Sequence, residues 1–538
     1  MMKTFHRQAA LFLIFMLGAL ALVPATHPAA QSVAGHLDGT FGAGGVVTLD
    51  VQGLDDEATG VLVQPDGKVV VAGRSGSSLS EFVVARCLAD GWRDEGFGDL
   101  GRARIAIIGQ FSYANALART SDGKLIVGGD VLLSNGGQQV ALVRLNDDGQ
   151  LDTSFGQFGK VIGPLEERYA TVSAHLQKMV VEPDGKLLVM VLYYFFGSSS
   201  GSPVLYRLQA NGSLDPTFFF GAYADDLMIQ PDGKIVTAGL GVSVQRLHPD
   251  GRIDVSFGNS FGTVRLNDLL SLGLAASPAI ALTADGKLLV AFSLYRRGGS
   301  LESDFALVRL NTDGSLDTSF GTNGMTIADV ATNDHVKELL VQPDGKILLA
   351  GYAGTDSPAT RVILQASVAL LRFNADGMID EGFKADPLPD DTRGLSVANA
   401  ITLQTDGRIV IAGGIRNAGS ENMFVARYES GTIIPPPPTP DFALTADPAT
   451  LNATAGSKVR FAITINRVGG FTGAVSIGTV VDPPKMHITT IEPSADGLTF
   501  TYTLKIKGKA KAGTYPLVFV GEDATGRKRS VTVTLIVT

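Results

Sequence analysis

Cysteine and tryptophan occur once each in this 538-residue chain, as Cys87 and Trp92. One cysteine excludes an intramolecular disulfide. Cys87 stands among Val84, Ala85 and Leu88, which fits a small buried hydrophobe and not a nucleophile. Histidine is scarce too: seven in all, five of them after residue 30. There is no HExxH and no Cys/His cluster with metal spacing, so the local signatures of zinc proteases and zinc modules are missing. Beyond the apolar stretch Ala9–Val23 no run of eighteen apolar residues could form a membrane-spanning helix. Long helical periodicity is absent. Charged residues make up only 18% and hydrophobic residues 45%, a balance that suits a folded β protein and not a disordered one.

What the chain does have is one phrase repeated seven times: a hydrophobic run, a tight Asp-Gly-Lys or Asp-Gly-Arg turn, and a second hydrophobic run. The turn glycines are Gly67, Gly123, Gly185, Gly233, Gly286, Gly345 and Gly407, 48 to 62 residues apart. A period of this length marks a modular fold. Each repeat holds four strand-like pieces, as in Gly60–Gln64, Lys68–Gly73, Ala306–Leu310, and a short apolar run after the second turn, NTDGSLDTSFG at 311–321. Val, Ile and Leu fill the runs, while Gly, Pro, Asn and Asp punctuate them. Four antiparallel strands repeated seven times predict an all-β seven-bladed β-propeller, in which radial repetition leaves only short protected edges.

The chain ends predict how the ring closes. The first repeat-like residues, Leu37–Gly42, are the second half of a repeat and lead into a fourth-type strand near Val46–Leu49. The seventh repeat stops after its third strand, Phe424–Tyr428, with no LDxxFG behind it. The two fragments complement each other, and six or eight blades would leave one unmatched. A solenoid would end in capping repeats instead. Val46–Leu49 is therefore expected to pair with Phe424–Tyr428.

The paired motifs LNTDGSLDTSFGTNG and LLVQPDGKILLAG resemble the delta-60 repeat of secreted bacterial proteins, over about residues 36–431. The resemblance implies a propeller-type fold and export, and no defined chemistry. Some copies depart: Phe219 and Lys384 replace the glycine of FG, and Arg93 replaces the leucine of LD, so altered outer turns are expected there.

Flanking segments extend this plan. Lys3 and Arg7 precede the apolar stretch, and small residues follow, with cleavage expected at Ala25 or Ala30. Residues 1–30 therefore predict a signal peptide, and with it a secreted, periplasmic or cell-surface protein. Residues 31–434 form the propeller. Pro435–Pro440 is a proline-rich spacer. Residues 441–538 abandon the repeat for alternating strands with frequent turns, the pattern of an Ig-like β-sandwich lacking the usual disulfide. That last segment has 11 basic and 7 acidic residues, whereas 31–440 has 31 and 46. Lys505, Lys507, Lys509 and Lys511 alternate, so in a strand they would share one face. Such a basic patch suits an anionic cell-envelope polymer, or guards an exposed strand edge. Nucleic acid fits poorly, because the patch holds few aromatic residues.

Three functional readings follow. The DGxLD turns look like calcium loops, but Arg309 and Arg144 occupy the place of the first ligand, so no metal and no cofactor is expected. The tight Asp-Gly turns lie on one face, and the connections of varied length, at 193–203, 295–304 and 353–365, lie on the other. Varied loops on a rigid scaffold are where binding is built. Aligned on their turns, the first strands place Glu57, Tyr113, His175, Tyr223, Ala276, His335 and Val397 in one column. If first strands are innermost, Glu57 and the Tyr and His of this column ring the channel mouth as candidate binding residues. An extracellular binding or scaffolding protein for a protein or glycan partner is the expectation. The alternative is a secreted carbohydrate-active or lactone-active enzyme, which would require carboxylates or histidines converging at the channel. Trp92, in a turn, is expected to cover a blade edge.

Overall fold

The computed structural model describes residues 33–538 except 52–54, 77–80, 108–110, 135, 170–171, 196–200, 222–223, 240, 260, 271–274, 297–301, 357–362, 390, 392–394, 418–419, 432–440, 469–472, 480–484 and 524–526. The expected signal peptide, proline spacer and Tyr223 lie outside the described residues. The chain divides into two compact units, up to Ile433 and from Ile434.

The first unit holds seven antiparallel blades in chain order, called blades 1 to 7; a parallel bridge, Ser303 to Asn333, joins blades 5 and 6 into one sheet. Blade 1 runs Asp56–Val63, Val69–Ser75, Glu81–Cys87 and Arg102–Ile105, each strand paired with the next. The first strands of blades 2 to 7 are Phe111–Arg119, Ser173–Val181, Asp226–Ile229, Ala275–Leu282, Asn333–Val341 and Ser396–Leu403. Each packs against the first strands of its two neighbours, and that of blade 7 returns to that of blade 1. First strands are therefore innermost. The second and third strands are buried on both faces, because every blade is sandwiched between two others. Side-chain alternation then divides each strand between two cores. Val70, Ala72 and Val84 of blade 1 pack against Val127 and Val143 of blade 2. Val69, Val71 and Val83 pack against Val410 and Val425 of blade 7. A continuous apolar run is what a strand with two buried faces requires.

The ring closes as the half-repeats required. Val46, Val47, Thr48 and Leu49 pair with Ala426, Val425, Phe424 and Met423, which makes the N-terminal strand the outer strand of blade 7. Two of the three altered copies differ from the other blades, and the third does not. In blade 3 the LDPTFFFG segment is itself strand, over Leu214–Gly221. Blade 6 has three strands among the described residues. In place of a fourth, residues near Asp386 run beside the N-terminal segment: Asp386 N donates to Gly35 O at 2.9 Å. Blade 1 keeps its ordinary turn despite Arg93, because the following Asp94 retains its role.

That role explains the repeated motif. The arginine of each third strand meets the aspartate of LD, the lysine of the DGK turn and the phenylalanine of FG. In blade 5, Arg309 Nε lies 2.7 Å from Asp317 Oδ2, Lys287 Nζ lies 2.8 Å from the same oxygen, and the guanidinium sits 4.6 Å from the Phe320 ring centroid. Arg309 Nη1 also donates to Ala375 O, in blade 6, at 2.6 Å. The third-strand arginines of all seven blades reach a carbonyl in the next blade's turn in this way. The FG glycine adds a second strut: Gly258 N donates to Asp313 O at 2.8 Å, and Gly314, at φ +87°, would bring a Cβ within 2.8 Å of Gly258 N. In blade 7 the partners come from the other end of the chain. Arg427 pairs with Asp38 at 2.7 Å and covers Phe41 at 4.6 Å. Blade 3 varies the theme, with Glu182 as the partner of Arg207. The arginine predicted to exclude calcium is thus the ion-pair partner of the aspartate. Burial raises the carboxyl pKa of Asp152, Asp254 and Asp317, but hydrogen bonds from serine, lysine and arginine outweigh it and hold all three well below the usual carboxylate range.

Two solitary residues resolve differently. Cys87 is buried, and desolvation pushes its thiol up to about 12. Trp92 is 64% exposed on its turn.

The second unit has two four-stranded sheets. One runs Asp441–Asp447, Lys458–Val468, Thr499–Ile506, Met486–Pro493, and the other Thr450–Ala453, Lys528–Val537, Gly513–Asp523, Val475–Thr479, each in order of pairing. Phe442, Phe461, Ile463, Tyr502, Phe519, Val533 and Leu535 form one core drawn from both sheets. The strand carrying Lys505 ends at Ile506, so Lys507, Lys509 and Lys511 lie in the following turn and not along a strand face.

Candidate functional site

Six of the seven inner strands carry a register irregularity at the same place. The unpaired residues are Thr59, Asn115, Gln177, Ser277 with Pro278, Lys337 and Asn399. A bulge re-aims its own side chain and twists the strand. Here it turns polar side chains into an axial cavity of about 430 Å³ bounded by all seven blades. Three of them knit neighbouring inner strands together. Thr59 Oγ1 donates to Ala114 O at 2.7 Å, Asn115 Nδ2 to Leu176 O at 3.1 Å, and Asn399 Nδ2 to Ala58 O at 2.9 Å.

Blades 3, 4 and 6 supply the charges. Lys178 Nζ lies 3.1 Å from Asp226 Oδ1 and 3.6 Å from Glu338 Oε1, so one ammonium joins carboxylates from two other blades. Ile280 N donates to Asp226 Oδ2 at 2.8 Å, and Ile401 N to Glu338 Oε2 at 2.8 Å. The Asp226 carboxylate holds the Lys178 ammonium well above the ordinary lysine range; burial opposes this and Glu338 reinforces it. Lys337 and Asp225 also line the cavity, and among the described residues neither has an ion-pair partner. Burial lowers the pKa of Lys337, and the Glu57 charge partly restores it. Desolvation, then the neighbouring Asp226 charge, pushes Asp225 up. Lys337 Nζ also lies 6.0 Å from the Tyr352 ring centroid.

Of the column predicted from sequence, Glu57 lines this cavity, held by Arg74 Nη2 and Asn399 Nδ2, each at 3.0 Å. Tyr113, His175 and His335 do not line it. Tyr113 lies under the Arg74 guanidinium at 5.6 Å. His175 Nδ1 is 3.1 Å from Asp130 Oδ2 and 3.1 Å from Gln138 Nε2, and its ring meets Tyr194 edge-on. His335 stacks on Tyr352 at 4.6 Å. The cavity residues stand two and three positions later in each strand, because the bulge rotates the chain after the aligned column. No composition signal marks such a bulge; only the mix of Thr, Asn, Gln and Lys inside otherwise apolar strands hints at it. Elsewhere, Asp304, Asp329 and Asp334 come within 4.8 Å of one another. Arg296 lies 2.7 Å from both Asp304 and Asp329 and supplies their counter-charge.

Seven radial blades around a polar axial cavity define a β-propeller repeat protein. The family model described as "Domain of unknown function (DUF5122) beta-propeller" matches residues 64–97, 120–155, 182–218, 230–257, 283–320, 342–383 and 404–431, one segment in each blade. Six of the matches span the first turn, the third-strand arginine and the motif aspartate and phenylalanine of the inter-blade latch; in blade 7 the match holds Arg427, while Asp38 and Phe41 lie outside it. A comparison with curated proteins gives no match. Among the described residues no helix is long and apolar enough to cross a membrane.

Proposed function

We propose that the chain is a secreted binding or scaffolding protein whose propeller recognises its partner through the loop-bearing face and the axial cavity. One observation carries the reading: bulges at the same place in successive blades direct different side chains to the axis, while among the described residues Lys337 and Asp225 have no ion-pair partners there. A purely structural axis would satisfy its charges, as Lys178 does. The catalytic alternative asked for carboxylates converging at the channel. Asp226 and Glu338 do converge, but they share the Lys178 ammonium as their counter-charge. Export is supported by the N-terminal sequence pattern. The Ig-like reading of the second unit is supported by its strand order and by the parallel pairing of Thr450–Ala453 with the last strand. The test is a thermal-shift screen of neutral and charged saccharides, amino acids and short peptides against the wild type and the Lys337→Met/Asp225→Asn variant. A compound that stabilises the wild type and not the variant supports the reading. Equal shifts in both, or stabilisation of neither across the screen, would refute it.

A further inference from the structure

The second unit concentrates its positive charge in one place. Lys458, Lys505 and His487 stand directly opposite one another on three adjacent strands. Cross-strand partners lie roughly 5 Å apart at Cβ, and like charges so placed destabilise a sheet. Just beyond this row the turn adds Lys507, Lys509 and Lys511, all exposed. Lys485, at φ 70°, completes the group. Its carbonyl accepts from Lys507 N at 3.0 Å, and its ammonium donates to Lys509 O at 3.2 Å. Among the described residues none of these six lysines reaches a carboxylate. The ion pairs of the unit lie elsewhere, at Arg460–Glu492, Arg527–Asp523 and Lys528–Glu522.

Protection of a strand edge does not account for the cluster. The strand of Lys505 is hydrogen-bonded on both sides, and the remaining lysines sit in turns or at strand ends. Adjacent like charges without counter-ions cost stability, and a bound polyanion recovers that cost by neutralising them. The surroundings narrow the choice of polyanion. Ile491 is the one large apolar side chain exposed in this unit among the described residues. The aromatic at the cluster, Tyr515, is half-buried against the core with its hydroxyl donating to Lys511 O at 2.9 Å, so it offers no free face for a base, and among the described residues no apolar wedge enters a lipid layer. We propose that this lysine cluster docks a linear acidic polysaccharide of polyuronate type, held by charge along its length. This surface is independent of the propeller cavity, so either proposal can fail alone.

The test uses the full-length chain on immobilised polygalacturonate at 50 and 200 mM salt. If roughly five anionic groups are engaged at about 0.7 released counter-ions each, affinity falls about 100-fold between those salt concentrations. The Lys505→Gln/Lys507→Gln/Lys509→Gln/Lys511→Gln variant should bind at least about tenfold more weakly at 50 mM and show a flatter salt dependence. The Lys528→Gln/Arg529→Gln variant removes charge from the same unit but outside the cluster, and should stay within about threefold of wild type. Melting curves of both variants should overlay the wild type, because the replaced side chains lie at the surface. Independently of any variant, polygalacturonate should shield the cluster lysines of the wild type from acetylation. Unchanged affinity in the lysine variant, equal losses in both variants, or tighter binding to duplex DNA than to polygalacturonate at equal salt would overturn the proposal.

Discussion

Removing Asp38 tests whether the N-terminal segment is a working part of blade 7. Asp38 is buried, and Oδ2 lies 2.7 Å from Arg427 Nη2 and 3.0 Å from Arg408 Nε. The Arg427 side chain is itself only 6% exposed. Asp38→Ala leaves two guanidinium groups facing each other without a carboxylate, and stranding one buried charge costs about 3–5 kcal/mol. Unfolding entropy of about 2.1 cal/mol/K per residue over roughly 400 residues converts that cost to a melting-point drop of about 4–6 °C. Circular dichroism on the full-length chain measures it. The double variant Asp38→Ala/Arg427→Met should recover more than half of the loss, since no buried charge remains unpaired. Asp317→Ala, which removes the same partner inside blade 5, should fall by a similar amount. Deletion of residues 31–50 should do more, because it also removes the buried Phe41 and bares the Ser420–Tyr428 edge to aggregation. The closure reasoning fails if Asp38→Ala melts within about 1 °C of wild type while Asp317→Ala does not.

Three further outcomes are expected. Asp152, Asp254 and Asp317 have folded pKa values below their unfolded ones, so their contribution is complete above about pH 5 and is lost as pH falls through and below 4; melting points measured from pH 6 down to 3 should fall steeply only at the acid end. Chelation with EDTA should leave the melting curve in place, because arginine and lysine already neutralise the motif aspartates, and a drop of several degrees would show that these turns bind a cation. Cys87, buried with its thiol pushed up to about 12, should react with a thiol reagent only at the rate of unfolding, and fast modification of the native protein would contradict the packing of blade 1.

The sequence by itself determined the all-β class, the seven modules and the place where the ring joins. Those features rest on local chemistry repeated at a readable period: Asp-Gly turns, apolar runs suited to strands with two buried faces, and two half-repeats that complement each other. Even the arginine opposite each LD aspartate was visible, although only as an obstacle to calcium. Its actual work is between blades. Arg309 clamps Asp317 in its own turn and reaches Ala375 in the next blade, a contact 66 residues away that no window along the chain contains. The tertiary structure alone decided the axial cavity. A bulge adds one residue to an inner strand and turns the chain, so Asn115, Gln177 and Lys337 line the axis where the alignment pointed to Tyr113, His175 and His335, while in blade 1 Thr59 joins Glu57. Hydrophobic alternation identifies which residues are buried, but a one-residue slip within the strand decides which polar side chain meets the axis. The lysine cluster divides in the same way. Lys505 through Lys511 were legible as a charged run, whereas Lys458, Lys485 and His487 join them only because antiparallel pairing sets distant residues side by side.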